Sequence, residues 1–274
     1  MPGVTRTVLT TGANSGIGLA TVLELARRGY RSIGTVRSEE KAEVVAKAAA
    51  DAGVEVETRL LEVTEPDGCR RVVDGLSLYG LVNNAGYSGT AAVEDVTDDE
   101  ARHQLETMLL APIRLARLAL PDMRAAGEGR IVNVSSIYGR TTTPLTGWYQ
   151  AAKHGLEAVT DALRVEVASA GVRVVLVEPG GFRTGLWEDF ERDIERRRDS
   201  RFAEPYRRTL LASRLARPLM GDPGAVARVI ARAIGARVPR SRYLVGYDAL
   251  ALAAAERLWP TAVKDRVTRI VLGL

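Results

Sequence analysis
Short β-branched runs alternate with longer stretches whose apolar residues recur at helical spacing. TRTVLTT (5–11) predicts a first strand, followed by a glycine-rich turn and a helix over 16–28 closed by Gly29. RSIGTV (31–36) predicts a second strand. A helix over 38–53 follows, with Ser38 as N-cap, acids in its first turn and Gly53 at its end. Further strands are predicted at 54–63, 80–86, 129–136 and 172–181. The intervening helices fall at 66–76, 98–127 (bent at Pro112) and 147–171. This βαβ alternation with buried-looking strands implies a parallel, doubly wound sheet covered by helices on both faces, a three-layer α/β/α fold.

After Gly181 the alternation stops. Residues 185–220 are helical in pattern and mixed in charge, with nine arginines against seven acids. A helix over 222–237 starts at Asp222, and SRYLVG (241–246) is a candidate seventh strand. The tail, 248–274, is helical and amphipathic. No repeat or low-complexity linker interrupts the chain, so residues 1–274 read as one domain.

Composition narrows the function classes. With 38 Lys+Arg against 34 Asp+Glu, the net charge of +4 is too thin to argue for nucleic acid or an anionic membrane. Cys69 is the single cysteine and makes no metal-ligand spacing with His103 and His154, so neither a disulfide nor a metal site is expected. MPGVTRTVLTTG shows no signal-peptide pattern and no apolar run spans a membrane, which makes the cytoplasm the expected location. Lysine is scarce: Lys41, Lys47, Lys153 and Lys264 are the whole set, so the place of any one is informative.

Thr11-Gly12-Ala13-Asn14-Ser15-Gly16-Ile17-Gly18 joins the first strand to the first helix. Glycines there let backbone approach a phosphate, and the helix start offers unpaired N–H groups and a positive dipole end. The end of the second strand is where a dinucleotide reader discriminates the adenosine ribose. An NAD reader places Asp or Glu there, whereas this chain has Val36-Arg37-Ser38. Loss of the acid and gain of a guanidinium suit a 2′-phosphate, and so NADP(H). A solvated arginine beside a helix start is the ordinary alternative.

Tyr149 and Lys153 stand four apart on one helix and share a face. Chance placement of 8 Tyr and 4 Lys in 274 positions gives about 0.1 such pairs. Ser136 ends the preceding strand, so all three can meet at the carboxyl end of the sheet, where open α/β folds bind ligands. A phenol is a poor base at neutral pH, and a nearby ammonium is expected to lower its pKa. Tyr149 could then exchange a proton with a carbonyl or alcohol oxygen that Ser136 holds.

These motifs together resemble the short-chain dehydrogenase/reductase family. TGANSGIG (11–18), NNAG (83–86), Ser136, Tyr149-x-x-x-Lys153 and Pro179-Gly180-Gly181-Phe182-Arg183-Thr184 run in the family's order. The resemblance implies a seven-stranded Rossmann-type sheet and a ketone–alcohol oxidoreductase using NADP(H). It implies that Asn84, Ala85 and Gly86 pass the adenine ribose and that Glu62 and Val63 lie near the adenine. Phe182 and Thr184 would meet the nicotinamide carboxamide, and 185–220 would form a substrate lid. The tail is similar to members acting on bulky apolar alcohols and ketones such as steroids and retinoids. Helices 98–127 and 147–171, with Leu105, Leu109, Leu156, Val159 and Leu163, point to a homodimer or homotetramer.

One departure stands out. The family places Asn where this chain has Met108; that Asn distorts the helix, and its carbonyl holds a water leading to the lysine. Met108 keeps a carbonyl and loses the amide. The proton route is altered, the rate is low, or the scaffold performs a non-redox step such as isomerisation, cyclisation or dehydration. Tyr87, Tyr138, Trp148, Leu186 and Trp187 flank the motifs as candidate small-molecule contacts, with ordinary packing the competing reading.

Overall fold
The computed structural model describes residues 5–274. Its strands are β1 (Thr7–Thr11), β2 (Arg31–Val36), β3 (Glu57–Leu60), β4 (Leu78–Asn83), β5 (Gly129–Val134), β6 (Val172–Pro179) and β7 (Arg242–Val245). All pair in parallel in the order β3-β2-β1-β4-β5-β6-β7. The order reverses between β1 and β4, which opens a crevice at the carboxyl ends of the strands.

Helices α1 (Gly16–Arg27) and α9 (Pro223–Gly235) pack together on one face. The other face carries α3 (Pro66–Val73), α5 (Ala111–Ala126) and α6 (Gly147–Glu166). Adjacent strand residues serve opposite cores, as a sheet buried on both sides requires. Leu9, Ile131 and Val174 join the α3/α5 side, whereas Val8, Val132 and Val175 join the α1/α9 side.

Helix α2 (Glu39–Asp51) covers β2 and the edge strand β3, and α4 (Asp98–Leu105) starts at a capping box of Thr97 and Glu100. Helices α7 (Leu186–Arg196) and α8 (Ala203–Ala216) form the segment after β6. The tail folds as α10 (Tyr247–Leu258) and α11 (Thr261–Leu272), and α11 buries none of its residues. No helix among the described residues is long and apolar enough to cross a membrane.

Two expectations need correction. The third strand spans four residues rather than the whole of 54–63, because it pairs only with β2; Leu61 and Val63 reach the core from the turn beyond it. The helix expected over 98–127 is interrupted by a π turn, Glu106–Leu110, in which the Ala111 N–H donates to Glu106 O. Pro112 follows this turn and has no N–H for the carbonyl four residues earlier, that of Met108. The distortion associated with the family asparagine is therefore present without it. Of the five apolar residues expected to face a partner, Leu156 is fully inward and Val159 is 39% exposed.

A buried amide relay ties these helices to the sheet. Asn83 Nδ2 donates to Pro112 O (3.1 Å) and to Asn133 Oδ1 (2.8 Å), and Asn133 Nδ2 donates to Thr160 Oγ1 (2.8 Å). It crosses from α5 through β4 and β5 to α6. Removing one member strands its buried partners, so Asn133→Ala is expected to cost about 1–3 kcal/mol. Urea unfolding checks this; an unchanged midpoint would mean that water replaces the amide without loss.

Candidate functional site
The turn after β1 is built for close approach. Gly12 and Gly16 sit at φ +67° and +52°, where a side chain would be strained. A Cβ on Gly18 would lie 2.1 Å from Gly12 O, so only glycine fits at that helix position. Ser15, at the α1 N-cap, makes no side-chain cap hydrogen bond. The N–H groups of the first turn of α1, from Gly16, Ile17 and Gly18, therefore face the crevice without intrahelical partners.

The Asn83–Gly86 run is fastened to that turn. Asn84 Nδ2 donates to Thr11 O (3.0 Å) and Gly12 O (3.1 Å), and the Asn84 and Ala85 N–H groups donate to Thr11 Oγ1, both at 3.0 Å. Asn84 thus shapes the turn rather than presenting its amide outward. Gly86 lies against the buried Met108, whose Sδ would be 3.3 Å from a Cβ there. Asn14 is half-buried at the tip of the turn.

At the end of β2, Val36 is buried and Arg37 is exposed, with no ion pair among the described residues. Ser38 takes the N-cap position of α2. Glu62 folds back on its own turn, accepting from the Thr64 N–H and hydroxyl. The Val63 carbonyl accepts from Cys69 and Arg114.

Ser136, Tyr149 and Lys153 converge as expected. Ser136 follows β5 and accepts from the Tyr138 N–H (3.2 Å), and its hydroxyl lies near the Tyr149 phenol. Tyr138 meets Tyr149 edge-on, ring centroids 6.3 Å apart. Lys153 Nζ is buried, lies 5.7 Å from the centre of the Tyr149 ring and donates to Val134 O at 2.9 Å.

The electrostatics correct one expectation. Burial pushes the Tyr149 phenol up to about 12, with the nearby Ser136 hydroxyl opposing, so the net shift is upward where a lowering was expected. The ammonium is directed at a backbone carbonyl and is itself disfavoured by burial, which brings Lys153 down to about 8 despite the Glu157 charge. At neutral pH Tyr149 is a neutral acid beside a cation.

A cleft of about 600 Å³ opens beside the glycine turn, lined by Gly16, Thr184, Trp187, Met220 and three arginines. Of the five candidate contacts, only Trp187 lines it, held by donation from its indole Nε1 to Phe182 O (2.8 Å). Tyr87 stacks on His103, and burial pushes its phenol to about 12. Leu186 begins α7 and Trp148 lies in the first turn of α6, both half-buried and away from the cleft lining. Phe182 turns its ring into the α1/α9 core, leaving Thr184 as the side chain against Gly16.

Three features escaped the sequence reading. Arg183 lines the cleft and the neighbouring groove under α1. Asp248 accepts from the Gly181 N–H (2.5 Å), pinning the Pro179–Gly181 loop to the start of α10. A buried cluster of Glu157, Glu178 and Arg242 lies behind Lys153. An acid inside the apolar run VRVVLVEP was the readable signal for that cluster.

The family model for short chain dehydrogenase matches residues 6–195. An uncharacterized oxidoreductase of Escherichia coli, YbbO, is 31% identical over 96% of this chain and 93% of its own. Human retinol dehydrogenase 5 is 32% identical over 99% of this chain and 90% of its own. Among solved structures, a short-chain dehydrogenase from Streptomyces avermitilis superposes with TM-score 0.77 at 28% identity, covering 97% of this chain and 96% of that one. A variant of actinorhodin polyketide ketoreductase with NADPH gives 0.78 at 28%, covering 91% and 97%.

The buried lysine makes a linkage prediction. Its pKa falls from 10.5 to about 8 on folding, so the unfolded chain binds the extra proton between those values. Stability contributed by this group therefore rises with pH from about 8 to 10.5, by up to about 3 kcal/mol. Lys153→Met is expected to lose that rise. Denaturant unfolding of both proteins at pH 7.5 and 10 checks it; parallel pH profiles would refute the buried ammonium.

Proposed function
The chain belongs to the short-chain dehydrogenase family, and on that premise we propose that it reduces the carbonyl of a bulky, largely apolar ketone with NADPH. The observation that carries this reading is the meeting of a neutral Tyr149 acid, the Ser136 hydroxyl and the Lys153 ammonium at the carboxyl end of the sheet. The residues present fit a dinucleotide: the Gly18 position admits no Cβ, the α1 N-terminus presents its N–H groups, and Arg37 has no carboxylate partner among the described residues.

In this reading Gly12, Asn14, Ser15, Gly16, Ile17 and Gly18 cradle the pyrophosphate, and Arg183 adds a cation beside them. Arg37 and Ser38 take the ribose 2′-phosphate; Glu62, Val63, Ala85 and Gly86 border the adenosine. Pro179, Gly180 and Thr184 border the nicotinamide, with Phe182 fixing that loop. The bound cofactor supplies the hydride. Ser136 orients the carbonyl oxygen, and Tyr149 donates its proton to that oxygen as negative charge develops there. Lys153 then steadies the phenolate left behind.

The cleft of about 600 Å³ beside the glycine turn is in the size range of ligand sites; Arg183, Arg214 and Arg217 line it together with Trp187, Pro218 and Met220, while Ser136, Tyr149 and Lys153 lie outside its lining. Two of the named proteins, a retinol dehydrogenase and a polyketide ketoreductase, bear names of bulky substrates, which supports the proposed substrate class. The π turn persists with Met108, and Pro112 leaves the Met108 carbonyl without its α-helical donor. That keeps a water-holding carbonyl available and favours the redox reading over a non-redox step.

The test is a panel of bulky ketones with NADPH or NADH, following cofactor absorbance and product mass together. NADPH is expected to be preferred, because a charge-assisted contact contributes roughly 1.5–3 kcal/mol, about ten- to a hundredfold. Arg37→Ala should erase the preference. Tyr149→Phe should lower turnover at least about 10²-fold with cofactor affinity nearly intact. Products formed without cofactor oxidation would assign the scaffold to a non-redox step.

A further inference from the structure
Behind the Tyr149–Lys153 pair lies a group of charges that the reaction described above does not use. Glu157 is one helical turn beyond Lys153 on α6, and Glu178 stands in β6 with its side chain wholly buried. Arg242 of β7 reaches both, at 3.0 Å from Glu157 and 3.3 Å from Glu178. Arg140, just after β5, approaches Glu178 at 3.6 Å, and Asp161 takes the outer side of Arg242 at 2.6 Å. Ser135, the neighbour of Ser136, lies against Glu157 under the loop that carries the serine.

Two carboxylates in one dry pocket cannot both be charged at low cost, even with the Arg242 guanidinium shared between them and Arg140 near Glu178. The carboxyl oxygens of Glu157 and Glu178 are buried without a well-aligned hydrogen-bond donor. That is the situation in which one proton is shared between two carboxyls. Burial and the mutual repulsion raise the Glu157 carboxyl, and burial raises that of Glu178.

We propose that Glu157 and Glu178 are positioning residues: a buried carboxyl pair, gripped by Arg242, that sets the negative charge facing Lys153 and so the charge state of the ammonium beside Tyr149. Glu157 is the near member and Glu178 the far one. The charge on Glu157 depends on its partner, because each carboxylate disfavours the other. Of the other charges on elements packed against α6, Arg102 pairs with Asp98 and Asp99, Glu100 with Arg197 and Glu106 with Arg114, while Arg173 of β6 has no ion pair among the described residues. His154 turns its ring back to Gln150 O.

The proposal yields opposite signs for two similar substitutions. Glu157→Gln removes the near charge, so Lys153 gives up its proton at lower pH. Glu178→Gln removes the repulsion, leaves Glu157 fully ionised, and Lys153 holds its proton to higher pH. Each displacement is about one pH unit, the scale of a unit charge a few ångströms away at an intermediate dielectric. A purely structural role would move both the same way or neither.

The proposal rests on Tyr149 and Lys153 being the reacting pair, but its first readout does not. With only four lysines, ¹³C-lysine NMR resolves Lys153 by comparison with Lys153→Met. The expected order of Lys153 midpoints is Glu157→Gln, then wild type, then Glu178→Gln, with Glu157→Asp nearer wild type than Glu157→Gln. If Glu157→Gln does not fold, Glu178→Gln and Glu157→Asp still give the sign. Same-direction or null shifts overturn the proposal. The second readout is the alkaline limb of kcat/KM for ketone reduction, expected to move with the NMR midpoint. NMR shifts without a matching move of the limb would keep the carboxyl pair and overturn the assignment of Lys153 to the reaction.

Discussion
A lysine ammonium held inside the protein is the constraint around which the rest is arranged. Burying a charge costs several kcal/mol unless partners are placed for it. Here one partner is the Val134 carbonyl at the end of β5, and the other is the charge of Glu157 one turn along α6. Meeting both needs α6 seated closely on β5 and β6, which the Asn83–Asn133–Thr160 relay secures from beneath. The strand end that supplies the carbonyl continues directly into Ser135 and Ser136. Fixing the lysine therefore also fixes the serine, and the first turn of α6 brings Tyr149 beside it.

The second arrangement is the joint between β1 and β4. Thr11 gives its hydroxyl to two backbone N–H groups of the neighbouring strand's exit, and Asn84 returns two hydrogen bonds to the glycine turn. Four hydrogen bonds among six atoms thus fasten the two loops to each other. The segment after β6 is joined through Trp187 to Phe182, and the tail through Asp248 to Gly181. Those tethers place the segment after β6 and the tail against the same loop at the end of that strand.

Much of this was legible in the chain because it is local. Strand and helix order follow from apolar periodicity, and Tyr149 and Lys153 share a face through helical geometry alone. What the chain did not reveal depends on distant elements meeting. Glu157, Glu178 and Arg242 come from α6, β6 and β7, and no spacing rule joins residues 157 and 242. The third strand is short because it has one neighbour, a property of sheet order. The phenol was expected to be lowered by its lysine; burial reversed the sign, and burial is set by the whole fold. Met108 was read as a loss, whereas the π turn keeps the local distortion without the asparagine.

The account stands on Tyr149 being a neutral, proton-bearing acid in the resting protein. ¹³C-tyrosine NMR over pH 6–11, with Tyr149→Phe to identify the signal, measures this directly. The account predicts that the Tyr149 resonance keeps its phenol shift through pH 10, as a side chain pushed to about 12 must. Ionisation of Tyr149 below pH 8 would show that Lys153 outweighs burial and would contradict the proton-donor role assigned to the resting site.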